Sequence, residues 1–204
     1  PFDETAVDFL EELDVPAYKI ASFENTHLPL IKKVAFTGKP MLISSGMATV
    51  SELDETVRAI RKAGCEQFLL LKCNSSYPAS PENSNILTIP HMRELFGCEV
   101  GLSDHTMGVG AAVAAVSHGA SVIEKHFTID RTWPGPDQEA SLEPHEMAEV
   151  VKGIRAIEKG LGNVKRVTSE EREVQNMARE SLVSLQDIPA GATITEDMIW
   201  VKRP

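Results

Sequence analysis

Short apolar runs alternate with segments of helical period along most of the chain, and this alternation predicts repeated βα units with a mainly parallel sheet. The predicted strands are 17–21, 41–44, 68–72, 100–102 and 122–124. Helices are predicted over 28–36, 50–62, 86–96 and 109–118, with a longer one over 144–161, where Met147, Val150, Val151, Ile154 and Ile157 recur at helical spacing. The first residues lead straight into another amphipathic pattern, Ala6, Val7, Phe9, Leu10 and Leu13, with Asp3 placed to cap it. Gly38, Gly64, Gly97 and Gly119 each fall near a helix end just before the next strand.

Polar residues collect where the predicted strands end. The runs close in Ser22-Phe23-Glu24, Ser44-Ser45-Gly46, Asn74-Ser75-Ser76-Tyr77, Ser103-Asp104-His105-Thr106 and Lys125-His126. A parallel barrel opens all its strand C-termini on one face, where such folds assemble their sites, whereas an open doubly wound sheet usually concentrates its ligand contacts at one glycine-rich turn. Every strand contributes here, so the fold is expected to be a (β/α)₈ TIM barrel, present as its C-terminal part with about five strands over residues 1–162. Residues 163–180 are charged and poor in apolar positions, reading as a linker with a helical piece near 169–179. Ser181-Leu-Val-Ser-Leu reads as a strand, and Ile188 to Thr195 as a turn with a second strand, opening a small β-rich domain over 181–204.

Composition narrows the function classes. The 204 residues are 42% hydrophobic and 25% charged, as in an ordinary globular protein, and the formal net charge of -10 argues against nucleic acid or an anionic membrane as partner. Three cysteines, Cys65, Cys73 and Cys98, with no CxxC spacing favour reduced, buried thiols and a cytoplasmic setting. No apolar run approaches the roughly 18 residues that span a bilayer. The chain opens directly on a helix, which looks like an interior cut, and its end at Lys202-Arg203-Pro204 is equally abrupt.

Lys19, Ser22 and Glu24 offer a cation, a hydroxyl and a carboxylate at one strand end, although a lone strand-end lysine is also ordinary. Ser44-Ser45-Gly46 puts hydroxyls and a close backbone approach before a helix, whose N-terminus can attract anions; equally, Thr49 or Ser51 can simply cap it. Lys72-Cys-Asn-Ser-Ser-Tyr-Pro ends another strand in hydrogen-bonding groups, with Cys73 expected to be a structural thiol lacking a base beside it. His105 and His126 lie 21 residues apart, one βα step, each just past a strand end. Two imidazoles so placed can converge on one ion while leaving positions for water or substrate, and Mn²⁺ or Mg²⁺ fits as well as zinc. The Pro/Gly loop after the last strand can hold Asp137 over the mouth as an orienting group or base. His27, His91, His118 and His145 lack partners and receive no role.

Assembled in order, Tyr18-Lys-Ile-Ala-Ser-Phe-Glu, Ile43-Ser-Ser-Gly-Met, Lys72-Cys-Asn-Ser-Ser-Tyr-Pro, Gly101-Leu-Ser-Asp-His-Thr, Ile123-Glu-Lys-His-Phe-Thr and Gly135-Pro-Asp with Ala140-Ser-Leu-Glu-Pro resemble the sialic acid synthase family. The resemblance covers essentially the whole chain, with Asn74 standing where the family usually has threonine. It implies a catalytic barrel followed by an antifreeze-like (SAF) domain in a domain-swapped homodimer. It implies a metal held by His105 and His126, and phosphoenolpyruvate contacts from Lys19, Ser22, Ser44, Ser75 and Ser103. It also implies catalytic roles for Glu24, Asp137 and Tyr77 near an amino-sugar aldehyde. The family's first strands and most of its second domain, including an arginine that reaches a partner's site, have no counterpart in these residues, so the resemblance implies a fragment that is not expected to be active alone.

The substrate is divided between two readings. Ile20-Ala-Ser-Phe-Glu and the Leu-Lys-Cys lead look like pseudaminic acid synthases; Pro134-Gly-Pro-Asp with Ala-Ser-Leu-Glu-Pro looks like N-acetylneuraminate synthases, and an N-acetylmannosamine-type substrate is preferred. A metal-dependent hydrolase on the same barrel would need further ligands at strand ends, and none is visible. A non-catalytic sugar-binding module would not need its polar strand ends all retained.

Overall fold

The computed structural model describes residues 1–203. The chain divides into two compact units, Pro1–Leu161 and Gly162–Pro204.

In the first unit, helix α1 (Glu4–Glu12) begins where the Asp3 carboxylate accepts the Ala6 amide, the predicted cap. Strand β1 (Tyr18–Ile20) and a single 3₁₀ turn (Ser22–Glu24) follow. Next come α2 (Leu28–Phe36), β2 (Met41–Ser44), α3 (Val50–Lys62), β3 (Phe68–Cys73), α4 (Thr88–Phe96), β4 (Glu99–Asp104), α5 (Gly110–Ser117), β5 (Ile123–Lys125) and α6 (Pro144–Gly160). The five strands form one sheet in the order β1-β2-β3-β4-β5, every pair parallel. Each strand adds beside its predecessor with no reversal of order. That is the progression of a barrel wall and not of a doubly wound sheet with a switch point. Among the described residues β1 and β5 are the sheet's edges, so the chain forms an arc of wall and not a closed barrel.

Side chains alternate across this arc because successive strand residues face opposite sides. Tyr18, Ile20, Met41, Ile43, Phe68, Leu70, Val100, Leu102 and Ile123 join the core shared with α1 to α4. The Tyr18 hydroxyl marks that face, donating to Glu11 Oε1 of α1 at 2.7 Å. Alternation therefore leaves Lys19, Ser44, Cys73, Ser103 and Glu124 on the opposite, inner face, at or near their strands' C-terminal ends. Gly101 shares the inner face and must be small, since a Cβ there would meet the Val122 carbonyl and lie 2.7 Å from Leu71 Cδ2. Gly97, at φ 59°, closes α4 in the left-handed conformation glycine tolerates.

The second unit holds α7 (Ser169–Ala178) and strands β6 (Ser181–Ser184) and β7 (Ile199–Lys202), paired antiparallel. A reciprocal Thr168/Glu171 capping box starts α7. The second strand corrects the expectation from sequence, which placed it by Thr195. Residues 188–195 form an irregular turn with Gly191 at φ 87°, and pairing begins only after a 3₁₀ turn at Glu196–Met198. No helix among the described residues is long and apolar enough to cross a membrane.

Candidate functional site

The parallel sheet brings all five strand ends to one edge, and the sequence-predicted residues fall into three groups there. The first is an inner-face network. Glu124 Oε1 accepts from Ser103 Oγ at 2.8 Å and lies 3.3 Å from Lys19 Nζ. Ser103 and Glu124 are register partners on β4 and β5, whereas Lys19 reaches across from the far edge strand. Sequence reasoning missed Glu124, and strict alternation from Ile123 was the signal that could have found it.

The second group surrounds Gly46. Its amide donates to Ser22 Oγ at 3.0 Å, and a Cβ at this position would collide with Ser75 Oγ and sit 2.6 Å from Ser22 Oγ. The glycine thus lets two hydroxyls meet the backbone. Ser22 also donates to Cys73 Sγ at 3.6 Å. The Oγ atoms of Ser44 and Ser75 and Oε2 of Glu24 are buried without a hydrogen-bond partner. Buried polar atoms are seldom left so, and three of them at one strand edge are what a polar ligand would satisfy. The helix after Ser44-Ser45-Gly46 does not present its first-turn amides as a bare anion site. Thr49 Oγ1 accepts the Glu52 amide and Glu52 Oε2 accepts the Thr49 amide, the ordinary capping alternative.

The third group contains the imidazoles. The ring centroids of His105 and His126 are 5.2 Å apart; Tyr77 lies 4.1 Å from the first ring and 5.4 Å, edge-on, from the second. His105 is buried, and its Nδ1 faces the Asn74 carbonyl at 2.7 Å. A carbonyl only accepts, so Nδ1 carries the hydrogen and the Nε2 lone pair is left for a ligand. Asp137 Oδ2 stands 3.8 Å from His126 Nδ1. The loop carrying Asp137 is pinned at its base, where Leu142 donates to the His126 carbonyl and Thr128 donates back to Leu142, each at 2.9 Å. Arg131 anchors it to Glu146 of α6 at 2.5 Å.

Cys73 differs from expectation. Its Sγ lies 3.9 Å from His105 Nδ1, so an imidazole does stand beside it. Burial raises the thiol's pKa, but contacts to His105, Ser22 and Ser103 outweigh that and bring it below the usual thiol value. Burial likewise opposes charge on His105, yet Cys73 and the Asn74 carbonyl hold its pKa above that of an ordinary histidine. The Tyr77 pKa is raised, chiefly by burial, which keeps its hydroxyl a donor.

Ser103, His105, Glu124, Lys125 and His126 line an open cleft of ≈ 150 Å³. No cluster of three or more His, Cys, Asp or Glu side chains is placed to hold an ion among the described residues. The two converging imidazoles, one with its tautomer set by a backbone acceptor, nevertheless suit a divalent ion that keeps water or substrate in its remaining positions.

The fold and site define a strand-end centre on an arc of parallel βα wall, with a cluster of hydroxyls, a lysine and paired imidazoles. The model of the NeuB family matches residues 1–166, and the chain belongs to that family of sialic acid synthases. It is 43% identical over its whole length to an uncharacterized protein of Methanocaldococcus jannaschii, and 40% identical to the N,N'-diacetyllegionaminic acid synthase of Campylobacter jejuni. The chain spans 61% and 62% of the length of these two relatives. The N-acetylneuraminic acid (sialic acid) synthetase of Leptospira borgpetersenii, solved with citrate, superimposes with a TM-score of 0.79 at 36% identity, over 85% of this chain and 61% of that one.

Proposed function

We propose that the protein carrying this chain is a nonulosonic (sialic-type) acid synthase that condenses phosphoenolpyruvate with an N-acetylmannosamine-type amino-sugar aldehyde and releases phosphate. The convergence of His105 and His126, 5.2 Å between ring centroids, beside the hydroxyl cluster carries this reading. The barrel is completed by three further strands, residues 181–204 open an antifreeze-like domain, and the working form is a domain-swapped homodimer. Family membership supports these three points.

His105 and His126 would hold Mn²⁺ or Mg²⁺, which when bound supplies Lewis-acid polarisation of the aldehyde. Lys19, Ser22, Ser44, Ser75 and Ser103 bind phosphoenolpyruvate, the ammonium meeting its charge and the hydroxyls donating to its oxygens. Tyr77 stacks beside His105 and donates its hydroxyl toward the sugar. Held in this way, C3 of phosphoenolpyruvate attacks the aldehyde carbon, forming the new carbon–carbon bond; the aldehyde oxygen takes a proton from water and C2 becomes an oxocarbenium centre. Water adds to C2 and gives its proton to Glu24 or Asp137. The bond between C2 and the phosphate oxygen then breaks as the C2 hydroxyl gives up its proton to the departing phosphate, leaving a 2-keto acid and inorganic phosphate.

The test is phosphate release by the full-length protein with a panel of amino-sugar aldehydes, with chelator and after return of Mn²⁺. Release should require both aldehyde and metal. Oxygen-18 in the bridging position should leave with phosphate, and its retention in the sugar product would end the scheme. Release without any aldehyde would select the hydrolase reading, and no release with any aldehyde the non-catalytic one. A second reading, a 2,4-diacetamido-trideoxy hexose of the pseudaminic type, is favoured by Ile20-Ala-Ser-Phe-Glu and would show as preference for that aldehyde.

A further inference from the structure

Each histidine is immediately preceded by a charged residue that the condensation does not use. Asp104 and Lys125 pair at 2.8 Å, and both side chains are only 2% exposed. They are register partners at the ends of β4 and β5, on the side of the sheet away from the inner face. We propose that this pair is a positioning device that sets His105 and His126 at the separation a shared ion requires, an inference that rests on reading the imidazoles as ligands.

The bonds around the pair explain how. Asp104 Oδ1 accepts both the amide and the hydroxyl of Thr106, at 2.9 and 2.8 Å, while Oδ2 accepts from Lys125. Lys125 Nζ donates onward to the Thr106 carbonyl at 2.8 Å. Thr106 is therefore fixed at its N–H, hydroxyl and C=O, and His105 is bracketed by two tethered residues. The same ammonium belongs to the residue before His126. One closed ring of bonds thus ties the backbone on which both imidazoles are mounted. Stability alone is a weak reason for such a pair, because buried ion pairs can often be replaced by apolar side chains at little or no cost. Outer-shell groups that orient ligands are a better reason.

The double variant Asp104→Leu/Lys125→Met removes both charges, and Asp104→Asn removes one while keeping an acceptor for Thr106. In the full-length protein, Mn²⁺ binding is read by the loss of the free-ion paramagnetic resonance signal, folding by thermal denaturation, and phosphoenolpyruvate binding by calorimetry without metal. Both variants should fold and bind Mn²⁺ about 10-fold or more weakly. Their phosphoenolpyruvate affinity should stay within about twofold of wild type, since Lys19, Ser22, Ser44 and Ser75 lie on other strands or loops and the Ser103 side chain points to the opposite face of the sheet from the pair. Wild-type Mn²⁺ affinity in the double variant overturns the proposal. Equal loss of both ligands overturns it as well, because the pair would then be holding the fold and not the imidazoles. Absence of Mn²⁺ binding in the wild type sinks the reading of the site itself, and this inference with it.

Discussion

Lys19 Nζ lies 3.3 Å from Glu124 Oε1, the oxygen that also accepts from Ser103 Oγ at 2.8 Å. A carboxylate therefore stands between two groups assigned to an anionic substrate. It keeps the lysine and the hydroxyl pointed inward, but in the proposed reaction phosphoenolpyruvate would have to share Lys19 with it. The two side chains are 34% and 38% exposed, so solvent screens the charge substantially. Glu124→Gln keeps the shape and removes the charge; relief of about 1 kcal/mol of repulsion should tighten phosphoenolpyruvate binding about fivefold. Lys19→Met should weaken it about 10- to 100-fold, the loss of a charge-assisted hydrogen bond. Calorimetric titration at low salt reads both, and weaker binding by the glutamine variant would contradict the argument.

Two glycines should respond differently to one added methyl group. At Gly46 the new Cβ meets the hydroxyls of Ser22 and Ser75, which can rotate away; at Gly101 it meets the Val122 carbonyl, which cannot. Gly46→Ala should leave the urea midpoint nearly unchanged while phosphoenolpyruvate binding falls about 10-fold or more, since two donors are displaced. Gly101→Ala should cost about 1–3 kcal/mol of stability through overpacking against backbone. The denaturation curves and the binding isotherms together separate the two cases.

Much of this fold could be read from periodicity, because the helices and strands of the first unit bury one face each. Leu28–Phe36 and Val50–Lys62 match the predicted helices residue for residue, and Met41–Ser44 the predicted strand. The strand-end rule likewise led to His105 and His126, since parallel strands deliver all their C-termini to one edge. Pairing between distant residues was not legible. Glu124 looked like the last residue of an apolar run until Ser103 and Lys19 were seen around its carboxylate. Asp104 and Lys125 looked like members of polar strand ends, though their side chains are buried together. The strand misplaced near Thr195 fails for a similar reason: Ile199–Lys202 is selected by its antiparallel partner Ser181–Ser184, which local pattern does not report.

The contact between Cys73 Sγ and His105 Nδ1, 3.9 Å, predicts a pH dependence for the proposed metal site. Burial disfavours charge on both groups, but each stabilises the other's charged form, so the thiol pKa is lowered and the imidazole pKa raised. A protonated imidazole cannot ligate, so proton and metal compete for His105. Because its pKa lies above the ordinary value of about 6.5, Mn²⁺ affinity should begin to fall at a higher pH than an unperturbed histidine would give, and continue falling as the pH drops. Cys73→Ala removes the thiol while leaving the Asn74 carbonyl in place. In that variant the His105 ring-proton titration, followed by nuclear magnetic resonance in metal-free protein, should move to lower pH, and the Mn²⁺ affinity profile should move in the same direction. A ring titration unmoved by the substitution would mean that the thiol does not set the charge on His105.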